Sequence, residues 1–272
     1  MFRNIFDSHT HSDNSPDAQH SVTFMCEKAI AQKVLGLCIT DHCELRTYEQ
    51  EHYETRIAQS VFEARKARKI FNGRLSVRCG IELSDILYDP AHVQRLLEQY
   101  TFDLVLASQH NTADGTDIYY TNFKEWSATD VDTYLQWYFE TLIALAKWNN
   151  FDILAHLTYP VRYITGVHKI PVDLHRYDDQ IDTLLRILVQ NGKGIEINTS
   201  GLGQELGDTM PPLTYVKRYR ELGGEYITLG SDAHAADAIG HGIQAGMQML
   251  LDSGFQYFTF YEERCPLQMK IS

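Results

Sequence analysis

Asp7-Ser8-His9-Thr10-His11 sets two imidazoles two residues apart, directly after the apolar pair Ile5-Phe6. In an extended strand alternate side chains share a face, so His9 and His11 would aim at one point. Imidazole is a ligand for zinc, iron, copper and nickel, but two alone do not make a site; three or more donors are needed. Further donors recur along the chain, each behind a short apolar run. They are Thr40-Asp41-His42, Gly80-Ile81-Glu82, Ser108-Gln109-His110, His156, Glu196-Ile197-Asn198 and Ser231-Asp232-Ala233-His234. Scattered histidines would not fall so regularly at the same place in a repeat. His20, His52, His92, His168, His175 and His241 lack that context and read as surface or structural residues.

The elements that would position these donors alternate. Apolar, β-rich runs cover residues 4–6, 35–40, 75–81, 102–107, 151–155, 194–197 and 226–229. Helix-like segments cover 21–33, 48–71, 91–99, 128–149, 179–190, 212–222 and 235–251. Ser127 or Thr129 caps the fourth of these, and Gly192 and Gly223 stand where helices would stop. Strands alternating with helices give βαβ units and a parallel sheet. Seven such units predict an α/β fold of a closed or nearly closed barrel, one domain over residues 1–272. Barrel enzymes carry their chemistry at the C-terminal ends of the strands, where the donors of this chain fall. The tail, 255–262, alternates aromatic and polar residues and reads as an edge strand closing one side.

Composition narrows the function classes. Of 272 residues, 44% are hydrophobic and 22% charged, ordinary for a folded protein. The net charge of −12 disfavours an extended nucleic-acid surface, which needs a basic patch. It does not exclude an anionic substrate, because bound cations reverse the local sign. The five cysteines (Cys26, Cys38, Cys43, Cys79 and Cys265) form no C-x-x-C pair and are odd in number. No disulfide framework is expected, and a reducing cytoplasm fits. No apolar run approaches a membrane span, and the first residues do not open a signal peptide. The composition leaves the oligomeric state open.

Taken together, the motifs resemble the PHP (polymerase and histidinol phosphatase) metal-dependent phosphoesterases, most nearly the histidinol-phosphate phosphatase branch. The D-x-H-x-H at Asp7, the T-D-H at Thr40, the G-I-E at Gly80 and the S-x-H at Ser108 carry the likeness, with His156, E-I-N-T-S-G at Glu196 and G-S-D-A-H at Gly230. They keep the family's order across nearly the whole chain. The resemblance implies a distorted seven-stranded (β/α)7 TIM-like barrel and a trinuclear centre. The first ion would take His9, His11, Glu82 and Asp232. The second would take His110 and His156, with Glu82 bridging, and the third Asp17, His42 and His234. Iron, manganese and zinc all suit such imidazole and carboxylate sets. Three divalent ions bring six charges; Glu82, Asp17, Asp232 and a bridging hydroxide offset four. About two remain for a phosphomonoester dianion.

The implied activity is hydrolysis of a small phosphorylated metabolite, histidinol phosphate first, by a metal-bridging hydroxide that attacks phosphorus. Such chemistry needs positioning and charge neutralisation rather than a protein nucleophile, and no Ser/His/Asp or Cys/His set is evident. Asp232 could also take the proton from the hydroxide. Arg162, six residues after His156, resembles a phosphate clamp, with Arg46 a second candidate. Glu196 and Asn198 would contact substrate or the ligands, and Asp7 and Asp41 would back the ligands or fill the barrel. No basic residue follows the N-T-S-G segment, where Leu202-Gly203-Gln204-Glu205 stands; Lys169 or Arg176 would have to substitute. The insertion at 110–126, with Tyr119, Tyr120 and Trp126, would wall the site. Rival readings are a nucleotide-directed PHP phosphoesterase, a non-catalytic metal-bound module, and an amidohydrolase, which usually needs a bridging lysine that no strand end supplies.

Overall fold

A computed structural model describes residues 2–272. Seven parallel strands form the wall of a nearly closed barrel: β1 (Phe6–Thr10), β2 (Gly36–Ile39), β4 (Ser76–Ser84), β5 (Leu104–Ser108), β6 (Ile153–Leu154), β7 (Gly194–Asn198) and β8 (Ile227–Gly230). A three-residue strand, β3 (His42–Glu44), prolongs the path of β2 after a break and pairs with the end of β4, His42 opposite Glu82. The helices are α1 (Val22–Ala31), α2 (Tyr53–Ile70), α3 (Pro90–Gln99), α4 (Ala128–Trp148), the short α5 (Tyr159–Val161), α6 (Asp178–Gln190), α7 (Leu213–Glu221) and α8 (Ile243–Asp252). The seven-strand expectation and the α/β class agree with this architecture.

The ring closes between β1 and β8 without a full ladder. The Asp232 N–H donates to the His9 carbonyl at 2.9 Å, and the His11 N–H to the Ala233 carbonyl at 2.9 Å. Beneath them Asp7 accepts from the Ser231 N–H (2.9 Å) and the Gly240 N–H (2.7 Å). Burial pushes the Asp7 carboxyl up to about 6, against the pull of those hydrogen bonds. Asp7 therefore ties the first strand to the last.

Burial on both faces explains why these strands read as unbroken apolar runs. The helices instead show one apolar stripe. In α6, Ile181, Leu184, Leu185 and Leu188 are buried at helical spacing. Ser127 caps α4 with a reciprocal bond to Asp130, and Gly192, at φ 65°, lets the chain turn after α6. All five cysteines are unpaired, and four of them are buried. Among the described residues no helix is long and apolar enough to cross a membrane.

Two expectations need correction. The segment expected as one helix from 235 to 251 has a single 3₁₀ turn at Ala236–Ala238 and is α-helical only from Ile243, because Gly240 and Gly242 both take positive φ (72°). The tail is not an edge strand of the barrel. β9 (Tyr257–Glu262) pairs antiparallel with β10 (Cys265–Lys270) in a separate two-stranded sheet. This hairpin covers the N-terminal end of the barrel. Tyr261 joins Cys38, Leu104, Leu106, Ile153 and Ala155 in an apolar plug, and Thr259 Oγ1 accepts from the Ile227 N–H at 3.1 Å. At its turn the Arg264 guanidinium grips the buried Asp152 carboxylate, at 3.0 Å from Nε and 3.0 Å from the terminal amine. Replacing Arg264 by Gln leaves that carboxylate short of its charged donor. The expected cost is about 1.5–3 kcal/mol, seen as a lower denaturation midpoint. An unchanged midpoint would mean that Tyr261 and its apolar neighbours hold the hairpin unaided.

Candidate metal centre

The strand ends bring all nine expected donors to one end of the barrel, in three adjoining sets. In the first, His9 Nε2 lies 3.3 Å from Glu82 Oε2 and 3.6 Å from Asp232 Oδ1; His11 Nε2 lies 3.7 and 3.2 Å from the same two oxygens. In the second, Glu82 Oε1 is 3.2 Å from His110 Nε2 and 2.7 Å from His156 Nε2, which are 3.4 Å apart. In the third, His42 Nε2 and His234 Nε2 are 3.3 Å apart, with Asp17 oxygens at 3.7 and 3.2 Å from them respectively. Tetrahedral ligands about 2.1 Å from a shared ion stand roughly 3.4 Å from one another. The two oxygens of Glu82 divide between the first and second sets, so one buried carboxylate serves both. Glu82 also approaches His42 Nδ1 at 2.8 Å.

Two independent features fit cations at this place. His9 Nε2, His11 Nε2 and Glu82 Oε2 are buried without a hydrogen-bond partner. Nitrogen faces nitrogen at His110–His156 and at His42–His234, an arrangement that a shared cation satisfies. Burial, with His234 and His42 close by, holds His11 well below the usual imidazole range, which keeps its lone pair free. Burial alone would raise the Glu82 carboxyl, but His110, His9 and His42 hold it well below the carboxylate range. The backbone is left-handed at His156 (φ 24°) and Asp232 (φ 56°). Such strain costs of order 1–3 kcal/mol per residue and collects where side chains must be aimed for function.

Groups behind the donors orient them. Glu196 is fully buried; its Oε1 is 2.7 Å from His9 Nδ1 and its Oε2 accepts from the His156 N–H at 2.9 Å. Gly230 makes that approach possible, since a Cβ there would strike Glu196 Oε1. Asn198, also fully buried, donates from Nδ2 to Asp232 Oδ2 at 3.3 Å, and its Oδ1 accepts from Ser200. Of the two contacts expected of this pair, substrate or ligands, the structure shows the second: Glu196 meets His9 and Asn198 meets Asp232. Asp41 accepts from Ser12, Ser15 and Ser60, and Ser15 Oγ lies 3.3 Å from His11 Nδ1. Glu44, which the sequence did not single out, places Oε1 2.7 Å from His110 Nδ1. Asp85 is a second such residue; it accepts from Gln109, Asn111 and Arg46 and so pins the loop that carries His110.

At the mouth, Arg162 NH1 stands 3.7 Å from Asp232 Oδ2 and its guanidinium sits over the Tyr159 and Tyr163 rings at 5.9 and 5.4 Å. Among the described residues it is the only lysine or arginine within 4 Å of a donor-set carboxylate. The expected substitutes lie elsewhere: Lys169 pairs with Glu205 at 2.6 Å and Arg176 with Asp132 at 3.0 Å, while Arg46 is spent on Asp85. In the insertion, Trp126 packs on Phe123 and Tyr134, whereas Tyr119 and Tyr120 are exposed.

Fold and donor arrangement define a parallel β/α barrel with clustered cation donors at the C-terminal strand ends. The chain belongs to the PHP domain family, whose model matches residues 7–200. A "probable histidinol-phosphatase" of Clostridium acetobutylicum is 31% identical over 268 residues, spanning 96% of this chain and 98% of its own length. The histidinol-phosphatase of Lactococcus lactis subsp. lactis is 23% identical over 92% of this chain and 91% of its own. The crystal structure of a histidinol phosphate phosphatase from that organism, complexed with zinc, L-histidinol and phosphate, aligns with a TM-score of 0.77. That alignment covers 97% of this chain and 99% of the other, at 21% identity, and shows the same fold.

Because Glu82 serves two donor sets, Glu82→Gln is expected to lower bound metal by more than one equivalent in elemental analysis of dialysed protein. A full metal complement in that variant would remove Glu82 from the centre.

Proposed function

We propose that this chain is a phosphomonoesterase with three divalent cations, drawn from iron, manganese and zinc, and that histidinol phosphate is its substrate. The observation that carries the reading is the conjunction of three donor sets around Glu82 with one arginine, Arg162, at their rim. The names and the bound ligands of the relatives support the same substrate. The proposal treats residues 1–272 as one barrel domain. The unpaired, mostly buried cysteines support a reducing cytoplasm as its setting.

His9, His11, Glu82 and Asp232 would hold the first cation, His110, His156 and Glu82 the second, and Asp17, His42 and His234 the third. When bound, such ions supply positive charge to the phosphate and lower the pKa of water to about 7. Arg162 contributes a planar fork that can pair two phosphate oxygens at once, and Tyr159 and Tyr163 hold that fork in place. Asp232 offers Oδ1 to the donor set, while Oδ2, on the Arg162 side, can receive the proton released from water. Glu196 and Asn198 act on the reaction through His9 and Asp232. With Lys169 and Arg176 engaged in other ion pairs, Arg162 stands as the main protein cation for the phosphate. The acid-rich surface favours a small phosphorylated metabolite over nucleic acid as the partner.

Phosphate release across a metabolite panel tests the substrate. Histidinol phosphate is expected to be turned over faster than nucleotides and aryl phosphates; equal rates would overturn the specific substrate. His42→Ala and His156→Ala should each abolish turnover, and near-parental rates would exclude the residue concerned. Arg162→Ala should chiefly raise KM, by a loss of about 1.5–3 kcal/mol in steady-state kinetics. An unchanged KM would mean that the guanidinium does not meet substrate.

A further inference from the structure

The imidazoles of the centre differ in what holds the nitrogen that faces away from it. His9 Nδ1 meets Glu196 at 2.7 Å, His11 Nδ1 meets Ser15 at 3.3 Å, and His234 Nδ1 meets the Asp232 carbonyl at 2.9 Å. In the second set the support is uneven. His156 Nδ1 is buried with no partner, whereas His110 Nδ1 lies 2.7 Å from Glu44 Oε1. Glu44 belongs to β3, two residues past His42, and its side chain is mostly buried at 16% exposure. No lysine or arginine lies within 4 Å of its carboxylate among the described residues; its ion-pair contacts are to His110 and His42.

We infer that Glu44 is a positioning residue that selects the metal-binding tautomer of His110, and that the second cation depends on it more than the other two do. A neutral imidazole carries one proton. With that proton on Nδ1 and donated to Glu44, the Nε2 lone pair points at Glu82 Oε1 and His156. Without Glu44 the proton is free to sit on Nε2, where it blocks the site. Since His156 has no such partner, the second set has no other device for fixing a tautomer. The first set has Glu196; in the third, His234 has the Asp232 carbonyl and His42 Nδ1 lies 2.8 Å from Glu82 against 3.8 Å from Glu44, so neither set loses its nearest orienting acceptor with Glu44. This proposal rests on the three-cation reading given above.

The test uses the full chain, stripped with a chelator and titrated with Mn²⁺ or Zn²⁺, for the parent, Glu44→Ala and Glu44→Gln. The parent is expected to bind three equivalents. Glu44→Ala should keep two and bind one about 10–100-fold more weakly, the usual effect of losing such a partner. Glu44→Gln should stay close to the parent, because the amide oxygen still accepts the Nδ1 proton. Nitrogen NMR of the zinc-loaded protein, labelled at histidine, reads the tautomer directly: His110 should carry its proton on Nδ1 with Nε2 bound in the parent, and lose that signature in Glu44→Ala. Parental affinity at all three sites in Glu44→Ala, equal weakening at all three, or an unaltered His110 tautomer would each overturn the proposal. A parent that binds fewer than three ions would instead sink the three-cation reading, and the Glu44 role with it.

Discussion

The structure depends on a single buried carboxylate. Glu82 has five imidazoles within 3.7 Å, from His9, His11, His42, His110 and His156. Such a concentration of donors away from water is costly unless charge balances it. The barrel makes the donors converge, and cations held among them would offset that cost. The three sets adjoin because Glu82 lies near the C-terminal end of the longest strand, β4, with β3 pairing along one side of it and β5 along the other. His42 arrives from β3 and His110 from the loop after β5. The centre is thus a property of strand register before it is a property of any loop.

Closure of the ring serves the same end. The last barrel strand returns to the first through Asp7, Ser231 and Gly240, and the backbone bonds of His9 and His11 are made to residues 232 and 233. Donors from opposite ends of the chain are thereby locked to each other by main-chain geometry. The left-handed backbone at Asp232 is sustained by that closure. A shift at the seam would displace His9, His11 and Asp232 together, and with them the first set.

Much of this was legible in the sequence, for physical reasons. Strands buried on both faces leave continuous apolar runs, and the barrel directs whatever follows them to one end. The count of seven strands and the position of the donors came from that rule alone. Asp17 was different: Ser-Pro-Asp is also an ordinary turn, and family likeness was needed to separate it. Glu44 was missed because the chain after His42 gave no strand signal. β3 is three residues long and exists because β4 runs far enough to pair with it. The alternation that flagged His9 and His11 also links His42 and Glu44, but it becomes visible only once that pairing is known. β10 was hidden by its mixed composition and Pro266, and the late start of α8 by two glycines whose positive φ no periodicity announces. Glu196 and Asn198 were placed at the donor end of the barrel, with ligand or substrate as partner; which of the two each meets depends on side-chain packing that no spacing announces.

The hairpin beneath the barrel has a consequence for traffic. Tyr261 and its apolar neighbours plug the base, at the end of the barrel opposite the donors. If the chain acts on a phosphomonoester as proposed, reactant and both products would then come and go at the donor end, past Arg162.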